Sequence, residues 1–137
     1  MIVGIGTDIV TVSRMAENLE RMGDRFARRL LTETEYKEYE KKHNGAAYLA
    51  KRFAAKEAVY KALSAAPVTG LGWHDAEILN TAGGAPVLTL FGSCKRALEE
   101  VTPEGYKASV NLSLSDEPPY AVAFVVISAG PLDRLGE

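Results

Sequence analysis

The chain is poor in the residues that most often carry catalysis or hold metals. Its 137 residues include one cysteine, one tryptophan and two histidines. The single cysteine, Cys94, excludes an intramolecular disulfide framework and a cysteine-rich zinc site. With no histidine close by, it reads as a buried thiol in a short helix rather than as a nucleophile. His43 and His74 have no partners at metal-ligand spacing and read as surface or structural residues. A GxSxG motif is absent, and no Ser-His-Asp set can be assembled. No apolar run approaches the roughly 20 residues that span a bilayer. The opening "MIVGIGTDIV" has neither the basic region nor the long apolar region of a signal peptide. An excess of positive charge is missing too: the formal net charge of −2 argues against general nucleic-acid binding. At 47% hydrophobic and 25% charged residues, the composition is that of one globular domain, expected to be cytoplasmic. Chemistry must then rest on carboxylates, lysines and arginines, with or without a metal ion.

Helical and extended patterns alternate. "MIVGIGTDIV" reads as a strand with Val3, Ile5, Thr7 and Ile9 on one face and Gly4, Gly6, Asp8 and Val10 on the other. Two glycines beside Asp8 leave room around a carboxylate, or let something approach the backbone closely; a bulge with Asp8 in a turn is the plainer alternative. Ser13 is positioned to N-cap a helix with Met15, Leu19 and Met22 as its seam, ending near Gly23. "DRFARRLL" predicts a short helix. "TETEYKEYEKK" predicts another, with Thr32 and Glu35 as a capping box. A long helix runs from Gly45 or Ala46 to about Leu63. "HDAEILN" and "PVLTLFG" read as strands joined by "TAGGA", "CKRALEEV" as a helix, and "ASVNLSLS" and "YAVAFVVIS" as strands joined by "DEPP". The mixture predicts an α+β fold, with an antiparallel sheet packed against the long central helix. A single domain is expected over 1–128, with 129–137 as a loose tail.

The central helix, "LAKRFAAKEAVYKAL", poses the main question. A core stripe through Leu49, Ala50, Phe53 and Ala54 continues at helical spacing to Glu57, Ala58 and Lys61. Glu57 and Lys61, four residues apart, can form a helix salt bridge worth roughly 0.3–0.5 kcal/mol if exposed. That explains their spacing but not their place in an apolar stripe, while Lys51, Arg52 and Lys56 fall on other faces. The alternative pairs Glu57 with Asp8 as carboxylates for a hard cation such as Mg²⁺, which fills its remaining positions with water and phosphate oxygens. Arg14, Arg21, Arg25, Arg28 and Arg29 form a basic cluster diluted by Glu17, Glu20 and Asp24. It reads either as a solvated helix face or as a docking surface for an acidic partner.

"GIGTDIV", "RFARRLLTETE", "LAKRFAAKEAVYKAL", "GGAPVL" and "NLSLSDEPPYAVAFVVI", in this order, resemble the holo-acyl-carrier-protein synthases, the small type of 4′-phosphopantetheinyl transferase. The resemblance spans Met1 to about Ser128. It implies that the phosphopantetheine arm of coenzyme A is transferred to a serine of apo acyl carrier protein, releasing adenosine 3′,5′-bisphosphate. On matching positions it implies Asp8 and Glu57 as Mg²⁺ ligands and Glu57 as the group nearest the serine proton. It implies Lys61 at the leaving phosphate and Arg52 as a contact for the nucleotide phosphates. It further implies homotrimers with active sites between subunits, and an acidic carrier protein met by Arg14, Arg21, Arg25 and Arg28, with Arg14 foremost. Many members carry a histidine where this chain has Asp116, so no phosphate contact is assigned to Asp116. A non-catalytic coenzyme A-binding oligomer is the alternative function.

Overall fold

The Ile- and Val-rich N-terminus forms strand β1 (Ile2–Thr11) and leads without a loop into helix α1 (Val12–Met22). A computed structural model describes residues 1–132. Helices α2 (Asp24–Leu30) and α3 (Glu33–Glu40) precede the long α4 (Gly45–Ala62). A 3-10 turn (Trp73–Asp75) leads to the hairpin of β2 (Ala76–Asn80) and β3 (Pro86–Leu90). Helix α5 (Gly92–Val101) then precedes the long hairpin of β4 (Tyr106–Glu117) and β5 (Tyr120–Pro131). The main sheet is antiparallel with order β1-β5-β4, so the first strand of the chain pairs with the last. The fold is α+β, as the sequence implies.

The face of β1 carrying Gly4, Gly6, Asp8 and Val10 turns toward α4, and the one carrying Ile5, Thr7 and Ile9 turns outward. The glycines serve close approach. A Cβ on Gly4 would overlap the Ala62 carbonyl oxygen, and one on Gly6 would overlap that of Ala58. Opposite them α4 presents Ala54, Ala58 and Ala62, all buried. Small residues on both sides bring helix and strand together, and Ala121, Ala123, Val125 and Ile127 of β5 complete the layer.

Helix α4 packs against β1, β4 and β5 and also against α1, α2, α3 and β2. A helix enclosed on most sides has little freedom to display a single apolar stripe, and two sequence expectations change for that reason. Arg52 and Lys56, assigned to outward faces, are both buried. Lys56 Nζ donates at 2.7 Å each to Glu35 Oε1 and to the carbonyl oxygens of Leu30 and Trp73. Glu35 is equally enclosed: Thr32 N donates to Oε1 and Ile78 N to Oε2. Every proton of the ammonium therefore has an acceptor, which is the condition under which a buried ion pair is tolerated. The expected capping box of Thr32 and Glu35 is present, and its glutamate doubles as the partner of Lys56.

Two smaller expectations shift. Ser13 lies inside α1 instead of capping it, because Val12 N already donates to Pro119 O across the neighbouring hairpin end. Gly23, at φ 67°, ends α1 as expected, with its N–H on Leu19 O. Strand β5 continues through Pro131, where a loose tail was expected, since Ala129 N donates to Met1 O and Leu132 N to Gly105 O. The rest of that tail, 133–137, lies outside the described residues. Cys94 is buried, and burial pushes its thiol up to about 11, which keeps it an unreactive core residue.

Candidate active site

Phe53, Glu57 and Lys61 follow one another at i, i+4 spacing along α4 and are all at least partly open to solvent, beside the fully buried alanine line. Glu57 thus sits at an edge of the core. Lys61 does not pair with it. Lys61 Nζ donates instead to Asp8 Oδ1 at 3.0 Å and to Thr7 O at 2.9 Å, crossing from helix to strand. The helix salt bridge considered from spacing alone is replaced by a tertiary one, because Gly6 lets α4 run close enough for Lys61 to reach the strand backbone.

The Glu57 carboxyl titrates above the ordinary glutamate value. Burial is the largest cause and the Asp8 carboxylate the next, opposed by Lys61 and Arg14. The Asp8 carboxylate, close enough to disfavour the charge on Glu57, and the flanking Lys61 ammonium make a small electrostatic cluster with it at the meeting of β1, α1 and α4. Among the described residues no three His, Cys, Asp or Glu side chains come together as a metal site. The donor set fits a cation that takes one or two carboxylates and completes its shell with water and substrate oxygens.

An aromatic wall flanks this cluster. Phe53 packs against Trp73 at 5.3 Å between ring centroids, and Tyr60 also meets Trp73, at 5.5 Å. The Arg14 guanidinium lies 5.0 Å from the Phe53 centroid, which holds it beside the carboxylates. Of the four arginines expected to meet a partner, only Arg14 is among the charges acting on Glu57. Arg21 donates to Asn18, Arg28 is held by Asp24 and stacked over Tyr36, and Arg25 is exposed.

Arg52 belongs to a different place. It donates to Asn80 at 3.0 Å, lies over the Tyr48 ring and leaves its buried Nε without a partner. Beside it opens a cleft of about 410 Å³ whose lining includes Lys42, His43 and Lys51 as well as Glu38. At 3.6 residues per turn, Arg52 and Glu57 point about 140° apart around α4. The basic run "KKHN" just before α4 is the sequence signal for this cleft, and of the lining residues only Arg52 was expected at a phosphate. Asp116, the position where many family members carry a histidine, pairs with Lys51 at 3.7 Å.

Comparison with known proteins accounts for this assembly. Residues 4–125 match the 4′-phosphopantetheinyl transferase superfamily. A holo-[acyl-carrier-protein] synthase of Phenylobacterium zucineum is 47% identical over 131 residues, covering 96% of this chain and 95% of that protein. The crystal structure of the Neisseria meningitidis holo-[acyl-carrier-protein] synthase superposes with a TM-score of 0.80 at 39% identity, covering 93% of this chain and 99% of that one. The Helicobacter pylori synthase in complex with coenzyme A superposes with a TM-score of 0.72 at 30% identity, covering 90% of this chain and 99% of that one. A match over nearly the whole length, with the motifs carrying Asp8, Glu57 and Lys61 inside it, leads to one conclusion: the chain belongs to the 4′-phosphopantetheinyl transferase superfamily.

Proposed function

We infer that this protein is a holo-acyl-carrier-protein synthase. It transfers the 4′-phosphopantetheine group of coenzyme A to a serine of apo acyl carrier protein and releases adenosine 3′,5′-bisphosphate, a step that supplies fatty acid biosynthesis. The observation that carries the reading is the Asp8–Glu57–Lys61 cluster at a half-open edge of a chain similar throughout to such synthases.

In this reading the serine oxygen attacks the β-phosphorus and the bond to the nucleotide phosphate breaks. Glu57 takes the serine proton, a role suited to a carboxylate whose pKa is raised above the ordinary glutamate value. Lys61, anchored on Thr7 O and Asp8, is oriented to meet the charge on the departing phosphate. Asp8 and Glu57 would hold Mg²⁺, which supplies charge stabilisation on the pyrophosphate when bound. Arg14, with Arg21, Arg25 and Arg28 farther along α1 and α2, would meet the acidic carrier protein.

Arg52 and its basic cleft would receive the nucleotide phosphates, and the unpartnered Nε supports that role. Because Arg52 and Glu57 face different sides of α4, one copy does not turn both toward a single cleft. A homotrimer with sites between subunits resolves this by setting the Arg52 side of one copy against the Glu57 side of the next. The outward face of the sheet supports such assembly, with Ile5 59%, Ile9 60% and Phe124 42% exposed. The reaction is placed in the cytoplasm, where a free Cys94 thiol stays reduced; no helix among the described residues is long and apolar enough to cross a membrane.

The test is direct. Purified protein, coenzyme A and Mg²⁺ should raise the mass of an apo carrier protein by one phosphopantetheine arm, and chelation of the metal should stop the gain. Coenzyme A binding by folded protein with no mass gain would overturn the reading in favour of a non-catalytic module.

A further inference from the structure

The Lys56–Glu35 pair is fully enclosed, and the reaction as described does not use it. Its geometry shows what it joins. The three acceptors of Lys56 Nζ come from three segments: the last residue of α2, the first turn of α3 and the start of the 3-10 turn. The ends of two of them border the candidate active site or the surface that would meet the carrier protein, while the first turn of α3 borders the Arg52 cleft through Thr34. Leu30 O closes α2, which carries Arg25 and Arg28. Trp73 O belongs to the residue whose ring packs against Phe53 and Tyr60. Phe53 in turn supports Arg14. The same loop is tied once more, by Tyr60 Oη donating to Gly72 O at 2.8 Å.

We propose that Lys56 and Glu35 are positioning residues for phosphopantetheinyl transfer: they hold the Trp73–Phe53–Arg14 wall and the end of α2 in fixed register with Glu57, and so set how the carrier-protein serine is presented. The proposal rests on the transferase reading. Lys56 touches no substrate itself. It acts because its neighbour in the chain, Glu57, leaves α4 on another side, so one turn of helix carries both the reacting group and the anchor of the wall beside it. A buried ammonium needs three acceptors in any case; drawing them from three segments also joins those segments to α4. The two carbonyl bonds are what tie the docking elements to the catalytic helix.

The kinetic consequence is selective. Coenzyme A is expected to contact the Arg52 cleft and the Asp8 cluster, neither of which Lys56 touches. Glu35 reaches the cleft wall through its main-chain carbonyl, which accepts from Tyr48 Oη and is kept when the Glu35 side chain is replaced. The carrier protein, by contrast, meets α1, α2 and the aromatic wall. Replacing both charges at once, as Lys56→Met with Glu35→Gln, avoids leaving a lone buried charge. In that variant kcat/KM for the carrier protein should fall about tenfold or more, as expected when a reacting group is displaced by a fraction of an ångström to an ångström. KM for coenzyme A should stay within about twofold of wild type, a change of under 0.5 kcal/mol. Trp73, the only tryptophan of the chain, supplies a readout independent of turnover: its emission should move to the red and become more open to acrylamide quenching.

A folded double variant with wild-type kinetics toward both substrates and an unchanged Trp73 signal would overturn the proposal; so would an equal loss toward both substrates, the pattern of a reduced folded fraction. If the double variant does not fold, Tyr60→Phe decides, since it frees the same loop by one hydrogen bond. A raised KM for the carrier protein with KM for coenzyme A unchanged supports the positioning role, and no change refutes it. Should wild-type protein show no transfer at all, the transferase reading falls, while the Trp73 signal still reports whether Lys56 holds the wall.

Discussion

Lys56 and Glu57 are consecutive residues of one helix, and the protein treats them in opposite ways. Lys56 is sealed, with all three protons accepted and its partner Glu35 held by two backbone N–H groups. Burial still pushes its ammonium down from the ordinary lysine value, with Glu35 as the chief force opposing that. Glu57 is half open, shares its surroundings with Asp8, and among the described residues has no ion-pair partner of its own. One charge is placed so that it cannot react and the other so that its ionisation is strained. The contrast teaches that a charge can react only when its hydrogen-bonding capacity is left open; saturated, it can only hold other groups in place.

The contrast breaks most visibly at Glu57. Glu57→Gln should lower kcat by about 10²–10⁴-fold, the range for loss of a general base, read as the rate of carrier-protein mass gain. The same variant should be slightly more stable than wild type in metal-free buffer at neutral pH. The sign follows from linkage. With its pKa raised in the folded state, Glu57 keeps a proton that the unfolded chain has released, between the ordinary glutamate value and the raised one. Its contribution to stability is present below that window and is lost as pH rises through it. Glutamine has no such ionisation, so a lower Tm for Glu57→Gln at neutral pH would contradict the assignment of its environment.

Lys56→Met is the mirror experiment. Leaving Glu35 as an uncompensated buried charge should cost about 3–5 kcal/mol of stability, read from urea unfolding. A loss below about 1 kcal/mol, the scale of an exposed pair, would mean that the pair is not sealed. Smaller effects sharpen the outer rim. Arg14→Ala should raise KM for the carrier protein a few-fold, about 0.5–1 kcal/mol for an exposed cation–π site, and the defect should shrink as salt rises. Arg28→Ala should do less than Arg14→Ala, since Arg28 is already committed to Asp24 and Tyr36; equal effects would mean that the cluster acts through its summed charge alone.

Much of this was legible in the chain itself. The alternation of β1 put Asp8 and the two glycines on one face, and the break in the apolar stripe drew attention to Glu57. The S/T-x-x-E pattern at Thr32 and Glu35 gave a helix start at the correct residue. Periodicity failed on α4 for a definite reason. A helix packed on most sides buries faces beyond its apolar stripe, so Lys56 and Arg52, off that stripe by spacing, are buried all the same. The partner of Lys61 was hidden for a related reason: i, i+4 spacing favours Glu57, while the chosen partner lies 53 residues away.

Local sequence thus determined which elements form, which face of β1 carries the carboxylate, and that a carboxylate interrupts the apolar surface of α4, because strand alternation and helix periodicity depend only on neighbours in the chain. Tertiary structure decided which charges are sealed and which stay available. That choice depends on how close α4 comes to β1 over Gly4 and Gly6, and on the carbonyl groups that three separate segments bring to Lys56. Desolvation and hydrogen-bond saturation are properties of the assembled surroundings, and no spacing within the chain encodes them.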